Sequence, residues 1–311
     1  MRKLDLQAYK EIRQWLYRNA RPLELELWRY HFENGSKEAV ISVLLNYQNN
    51  DGGFGYAIDA DNWNPESTPY NVSFALDILR SIDFYDMTHP IYKGIFRYLE
   101  NTEYKSDYGW FFTIPSNDNN PHACWWNYSA EDNVFQSIGI TAILSGFILR
   151  YGKSQINLYQ MASNYTKRLI EELRTITEYG DMGVKGYIRL MEDIEGAGLT
   201  KEFDFQYLCQ KLHNVVKSKI DLDNFMVNPL GYIETPSSRF YEENKTEVES
   251  ELDQIIDQRP ALGVWGIPWE WYNDNKYPKA FAISENWWKA YKAIEKLLLL
   301  KYFGRLDYII N

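Results

Sequence analysis

The sequence predicts an all-α protein. Apolar residues recur at the three- and four-residue spacing of a helix along most of the chain, beginning with Leu6, Tyr9, Ile12 and Leu16. Residues that favour helix starts precede some of these segments, as Thr68 and Pro69 precede the apolar positions after residue 70. Gly35 and Gly152 stand where two of the apolar patterns stop. Helices are therefore expected from end to end.

Taken in order, the predicted helices share this periodicity and cover residues 5–20, 22–32, 37–47, 69–83, 90–100, 133–151, 156–175, 187–194, 201–219, 246–257 and 284–303. A polar loop joins Thr102 to Pro121 and is longer than a helix connection needs. Gly180, Gly183 and Gly186 indicate a turn before the helix at 187, and residues 221–245 are expected to be irregular. Because no linker divides the chain, residues 1–311 are predicted to form one domain.

One stretch combines a turn with a cluster of acids. Asp51, Gly52 and Gly53 predict a tight turn, since glycine adopts positive φ at no steric cost. Gln48 precedes this turn at the end of an apolar helix, and Phe54 follows it. A glutamine and an aromatic residue therefore bracket a reversal at a helix C-terminus.

The same arrangement recurs weakly along the chain. Gln258 is followed by Gly263 at the spacing that separates Gln48 from Gly53, and a partial copy surrounds Gly109 without a glutamine. A repeat of about fifty residues suits one helical hairpin per unit. These turns resemble the glutamine/aromatic repeats of the squalene-cyclase and protein-prenyltransferase β-subunit superfamily. The resemblance implies an α/α toroid, a double ring of about six helical hairpins, around an aromatic cavity.

Composition narrows the functional classes. The net charge of −10 opposes nucleic acid as a partner, because phosphate binding requires a basic face. Cys124 and Cys209 provide no disulfide framework in a chain of 311 residues. The N-terminus lacks the apolar core of a signal peptide, and no apolar run approaches the ~20 residues of a membrane span. A soluble, cytoplasmic protein is expected, and its oligomeric state is left open.

Aromatic residues make up 16% of the chain and crowd around the turns. In the resembling superfamily such side chains line the cavity and stabilise carbocations. The aromatic candidates for ligand binding are Phe54, Trp63, Trp110, Trp125, Trp126, Trp269 and Trp288. The same residues could instead wedge helix ends together, or stack on sugar rings.

Three acids, Asp59, Asp61 and Glu66, follow the turn. In the cyclases that the stretch resembles, an Asp before a helix protonates an alkene, and here Glu66 stands in that region without the full acidic motif. A carboxyl acts as an acid at neutral pH only if burial or a neighbouring charge raises its pKa. The hypothesis therefore requires a partly buried Glu66 beside Asp59 or Asp61. The alternative is three solvated carboxylates.

Metal chemistry has little support in the sequence. The prenyltransferase branch binds zinc through Asp, Cys and a distant His, and His122 with Cys124 is the nearest match. No Asp-x-Cys occurs. No metal and no cofactor are therefore predicted.

A second set of acids, Glu270, Asp274 and Glu285, lies near the turn after Gln258. In a closed ring these acids could face Asp61 and Glu66 across one cavity mouth. Paired carboxylates in an aromatic cleft also describe a carbohydrate-active protein on an (α/α)6 barrel. The sequence thus leaves three functions open: a terpene cyclase- or prenyltransferase-like protein with an apolar isoprenoid-like ligand, a carbohydrate-active protein, and a non-catalytic binding module.

Four consecutive leucines, 297–300, raise the question of a membrane surface. A helix buried on several sides explains such a run better. No stable membrane insertion is predicted.

Overall fold

The computed structural model describes residues 1–221, 229–272 and 276–307. Among these residues eleven α-helices are present, which confirms the all-α prediction: α1 Leu6–Asn19, α2 Pro22–Phe32, α3 Lys37–Leu44, α4 Pro69–Ser81, α5 Pro90–Asn101, α6 Ala130–Tyr151, α7 Ile156–Glu172, α8 Gly183–Gly196, α9 Phe205–Asp221, α10 Lys245–Asp257 and α11 Pro278–Tyr302. The polar loop after Thr102 contains a short antiparallel hairpin of β1, Lys105–Ser106, and β2, Gly109–Trp110.

Two compact units divide the chain. The first consists of Met1–Asn46 and Lys219–Asn311, and the second is Tyr47–Ser218. The single domain and the closed ring stay predictions.

Local sequence sets the helix starts. The Thr68 hydroxyl accepts a hydrogen bond from the Asn71 amide at 2.9 Å, and the Asp5 carboxylate accepts one from Ala8 at 2.7 Å. Ser129 caps α6 in the same way. Each side chain satisfies an amide that the helix cannot pair internally. The predicted helix starts at Thr68 and near residue 5 are confirmed.

The expected turn at Gly183 and Gly186 is wrong. Both residues lie inside α8, and only Gly180, with φ +68°, has a left-handed turn conformation. A Cβ at Gly186 would lie 2.3 Å from the carbonyl oxygen of Gly139 in α6. Gly186 and Gly139 therefore permit close approach of α8 and α6, a role that depends on a distant partner.

Helix α6 is the long core helix of the second unit, packed against α7 and α8. Its 22 residues are long and apolar enough to cross a membrane, which corrects the expectation that no such segment exists. In the fold, however, 72% of its most apolar window is buried. A buried core helix of a soluble protein has this character, whereas the cytoplasmic location stays a prediction.

An ion triad ties α4, α6 and α8 together. Asp193 is fully buried and accepts two hydrogen bonds from Arg80, at 3.2 and 3.0 Å, and one from Arg150 at 3.2 Å. Two guanidinium groups thus compensate one carboxylate that has lost its water.

The first unit joins its two chain segments. Helices α1, α2 and α11 pack on one another, and Leu4 pairs in parallel with Leu306. The buried Arg305 forms ion pairs with Glu249 and Asp253 of α10. Within the leucine run, residues 297 and 300 are fully buried, as expected for a core helix.

Glu251 of α10 gives the first unit a pH-dependent stability. Its Oε2 accepts a hydrogen bond from the Leu230 amide at 2.9 Å. Burial raises the pKa of Glu251 to about 7, although the Leu230 amide and Lys296 act in the opposite direction. The folded state therefore holds a proton that the unfolded state has already lost, so the free energy of unfolding falls as the pH rises from about 4.5 to about 7.

We expect Glu251→Gln to increase the free energy of unfolding at pH 8 by about 1–3 kcal/mol, because the amide still accepts from Leu230 without a buried charge. Near pH 4, below the unfolded-state pKa, the variant and the unmodified protein should be equally stable. Urea unfolding at both pH values measures the difference in free energy of unfolding between the variant and the unmodified protein. Glu247→Gln, on the exposed face of the same helix, is the control. If the difference in free energy of unfolding between Glu251→Gln and the unmodified protein does not change with pH, the prediction is contradicted.

Candidate functional site

Gln48 fixes the turn after α3. Its side-chain nitrogen donates to the carbonyl oxygens of Gly52 and Ile91, each at 3.0 Å, so one amide ties the turn to the start of α5. Phe54 is fully buried directly after the turn. Inside it, Asp51 accepts from the Gly53 amide at 2.9 Å and from the Ser67 hydroxyl at 2.7 Å. The predicted reversal is confirmed.

Two glycines bring this turn onto α5. Gly52 has φ +98°, and a Cβ there would lie 2.1 Å from the carbonyl oxygen of Gly94. A Cβ at Gly94 would in turn lie 2.5 Å from the Gln48 side-chain nitrogen. The turn and the helix therefore touch backbone to backbone, which places the last turn of α5 beside Asp51. The Arg97 guanidinium donates to the carbonyl oxygens of Asn50, at 2.8 Å, and Asp51, at 3.2 Å.

A network of buried amides holds the segment after the turn. The fully buried Asn117 accepts from Asn62 at 3.3 Å and from Asn64 at 2.9 Å. Asn64 accepts from the Glu66 amide at 3.0 Å, and its carbonyl oxygen accepts from the Tyr56 amide at 2.9 Å. Because buried amides must be paired, the network fixes the backbone on both sides of residues 56–66.

These segments enclose an open cleft of about 940 Å³ within the second unit. It is lined by residues 49–51, 56, 65–67, 97–98 and 101–104. Asp51, Glu66 and Glu103 contribute carboxylates and Arg97 contributes a guanidinium, so the lining carries a net charge of −2. Its other polar groups are largely asparagine amides.

Three tyrosines line the cleft, and two of them, Tyr56 and Tyr104, are accessible, whereas Tyr98 is buried. Tyr56 is 55% exposed, and Tyr104 is half-buried. Burial raises the pKa of Tyr104, and the negative charges of Glu66 and Glu103 raise it further. The charges of two carboxylates thus disfavour ionisation of the Tyr104 hydroxyl.

Glu66 lies exposed in this cleft. The acid hypothesis required a partly buried carboxyl in an aromatic cavity, and that condition is not met. The short polar loop before α4 leaves the Glu66 side chain on the surface, while Thr68 caps the helix.

Asp59 and Asp61 are both buried, in contrast to Glu66. Asp59 accepts from the Asp61 amide at 2.8 Å and from the Tyr70 hydroxyl at 2.9 Å. The Asp61 carbonyl oxygen accepts from the Ala123 amide at 2.9 Å. The three predicted acids therefore divide between two environments, and Asp59 holds Tyr70 in place.

The predicted aromatic candidates of the second unit are mostly packing residues. Trp110 and Trp126 are buried, and Trp126 lies 4.3 Å from the Tyr70 ring and 4.9 Å from the Phe112 ring, between centroids. Trp63 is half-buried and donates to the Ala60 carbonyl at 3.1 Å, whereas Trp125 is 37% exposed. Aromatic clusters are present, as predicted, but none of these tryptophans lines the cleft described above.

The remaining candidates belong to the first unit. Trp269 meets the buried Trp288 edge to face, with centroids 5.6 Å apart. Glu270 is exposed, and Glu285 pairs with Lys289 at 2.6 Å. Asp274 lies outside the described residues. A shared cavity mouth between these acids and Asp61 or Glu66 stays a prediction.

Both ring nitrogens of the buried His122 are engaged, with the Asn120 carbonyl oxygen at 2.6 Å and the Asn127 side chain at 2.9 Å. Cys124 is exposed. In the described part of the chain, no group of three or more His, Cys, Asp or Glu side chains could hold a metal ion.

Sequence analysis missed Arg97, Glu103 and Tyr104. These residues follow the turn by about fifty positions, and tertiary contacts such as those between Gly52 and Gly94 and between Gln48 and Ile91 bring them to the cleft. The one signal for them was the polar end of α5 next to an unusually long loop.

No family model, no curated protein and no solved structure matches this chain.

Proposed function

We propose that this protein binds a carbohydrate in the cleft of its second unit. The observation that carries the proposal is the juxtaposition of the Tyr56 and Tyr104 rings with the exposed carboxylates of Glu66 and Glu103 in one open groove. A sugar presents C–H faces to aromatic rings and hydroxyls to amides and carboxylates. An apolar ligand would displace water from the exposed carboxylates of Glu66 and Glu103 without pairing them.

Charge narrows the class of sugar. A lining with a net charge of −2 disfavours acidic glycans and diphosphates, because like charges across an interface cost binding energy. The Arg97 guanidinium is already engaged by two backbone carbonyls. The proposal is therefore restricted to neutral or amino sugars, and it includes no catalytic step.

A toroidal architecture is proposed alongside this function. The hydrogen bonds of Gln48 to Gly52 and Ile91 support it, because they join a helix end to the next hairpin as the resemblance implies for a glutamine/aromatic turn. The isoprenoid function that accompanies the resemblance is the second candidate. Its support is limited to this turn.

Calorimetric titration separates the candidates. The unmodified protein is titrated with cellohexaose, chitohexaose, chitosan hexamer, xylohexaose, hexagalacturonate and farnesyl diphosphate. Binding of at least one neutral or amino hexamer, without binding of hexagalacturonate or farnesyl diphosphate, is the expected result. Binding of farnesyl diphosphate alone would replace the proposal with the isoprenoid function, and no binding at all would refute it.

Tyr104→Ala should weaken binding of the best hexamer by about tenfold, because the variant removes a stacking face from the cleft. Tyr108→Ala is the matched control, since Tyr108 is 50% exposed in the same unit and lies outside the cleft lining. Titration of both variants measures the effect. Equal affinities would place the ligand elsewhere.

A further inference from the structure

Tyr56 has an unusual backbone conformation. It has φ +55°, and Ala57 directly after it has φ +57°. Side chains with a Cβ disfavour this left-handed region, and a bulky residue there is an outlier. Among the described residues the other non-glycine positions with positive φ are Asn34 and Asp83, whose residue types tolerate it.

A close contact and several backbone hydrogen bonds constrain the backbone of residues 55–58. A Cβ at Gly55 would lie 2.2 Å from the carbonyl oxygen of Pro65, so the backbone at Gly55 packs closely against the loop segment that contains Pro65. The Gly55 amide donates to Tyr47 at 3.0 Å, and the Tyr56 amide donates to Asn64 at 2.9 Å. The Ile58 amide then donates back to Gly55 at 3.2 Å, which closes a tight reversal.

Folding does not require a tyrosine at this position. The side chain is 55% exposed, so it buries little apolar surface, whereas Ala57 beside it is buried. Glycine would adopt the same φ without strain. A residue that costs stability and contributes little to the core is typical of a functional position.

We infer that the ring of Tyr56, held by this strained backbone, is a stacking platform for a pyranose ring. The inference rests on the proposed carbohydrate function. The constrained backbone limits the directions that the ring can take, so less conformational freedom is lost when a sugar binds.

The test compares Tyr56→Ala, Tyr56→Gly and Tyr56→Phe by melting temperature and by titration with the hexamer that binds the unmodified protein best. At an unstrained exposed position a glycine variant melts below the alanine variant. At residue 56 we expect the reverse, with the glycine variant about 1–2 °C higher. Tyr108→Gly and Tyr108→Ala, at a position without positive φ, should keep the ordinary order.

In the titrations Tyr56→Ala and Tyr56→Gly should bind about tenfold more weakly than the unmodified protein, and Tyr56→Phe should retain affinity within about threefold, because it keeps the ring face. Unchanged affinity in Tyr56→Ala, with a loss in Tyr104→Ala, would refute the inference and leave the carbohydrate function in place. If no hexamer binds the unmodified protein, function and stacking role fail together. If Tyr56→Gly melts below Tyr56→Ala, the backbone at residue 56 is not strained.

Discussion

Asp193→Ala should destabilise the protein by about 3–5 kcal/mol, since it leaves the partly buried guanidinium groups of Arg80 and Arg150 without a counter-charge. The carboxylate is fully buried, so water cannot take its place without disturbing α4, α6 and α8. Urea unfolding at neutral pH measures the loss. Asp193→Asn, which keeps the shape and part of the hydrogen bonding, should cost less.

Glu192→Ala is the matched control for this variant. Glu192 neighbours Asp193 on α8 but pairs with Arg189 at 3.0 Å on the surface, where ion pairs contribute about 0–1 kcal/mol. A similar loss in both variants would mean that α8 itself, and not the buried triad, is sensitive to substitution.

Gly52→Ala should cost about 3 kcal/mol of stability and weaken carbohydrate binding. The methyl group would lie 2.1 Å from the Gly94 carbonyl oxygen, so the turn must move away from α5. The left-handed φ adds a second penalty. Thermal unfolding and titration with the best hexamer report the two effects.

Substitutions at two other glycines distinguish the steric penalty from the penalty of the left-handed backbone. Gly198 has φ +72° with open space around its Cβ position, so Gly198→Ala should show the backbone penalty alone, about 1–2 kcal/mol. Gly231 has neither feature, and Gly231→Ala should be nearly neutral. If Gly52→Ala costs no more than Gly198→Ala, the contact with Gly94 is not what holds the turn.

The sequence predicted the helices well because their signals are local. Periodic apolar residues and caps such as Thr68 act within one or two turns of the chain, so they do not depend on the fold around them. Gly183 and Gly186 were misinterpreted for the opposite reason. Gly186 contacts Gly139 of α6, a partner that local patterns cannot specify.

For the candidate site the sequence identified the turn but not its chemistry. Glu66 is exposed, and its exposure depends on how the loop lies against the rest of the unit, which local sequence does not determine. Arg97 and Tyr104 enter the cleft through a tertiary contact between two glycines. The aromatic composition indicated a cavity lined by aromatic side chains, whereas Trp110 and Trp126 are buried in the core.

The pairing of the chain ends has a consequence for synthesis. The first unit needs Met1–Asn46 together with Lys219–Asn311, so α1 has no α11 to pack on until Pro278–Tyr302 has left the ribosome. The second unit is continuous and can fold earlier. At 5–20 residues per second, the apolar face of α1 remains without its final partner for roughly 10–50 s.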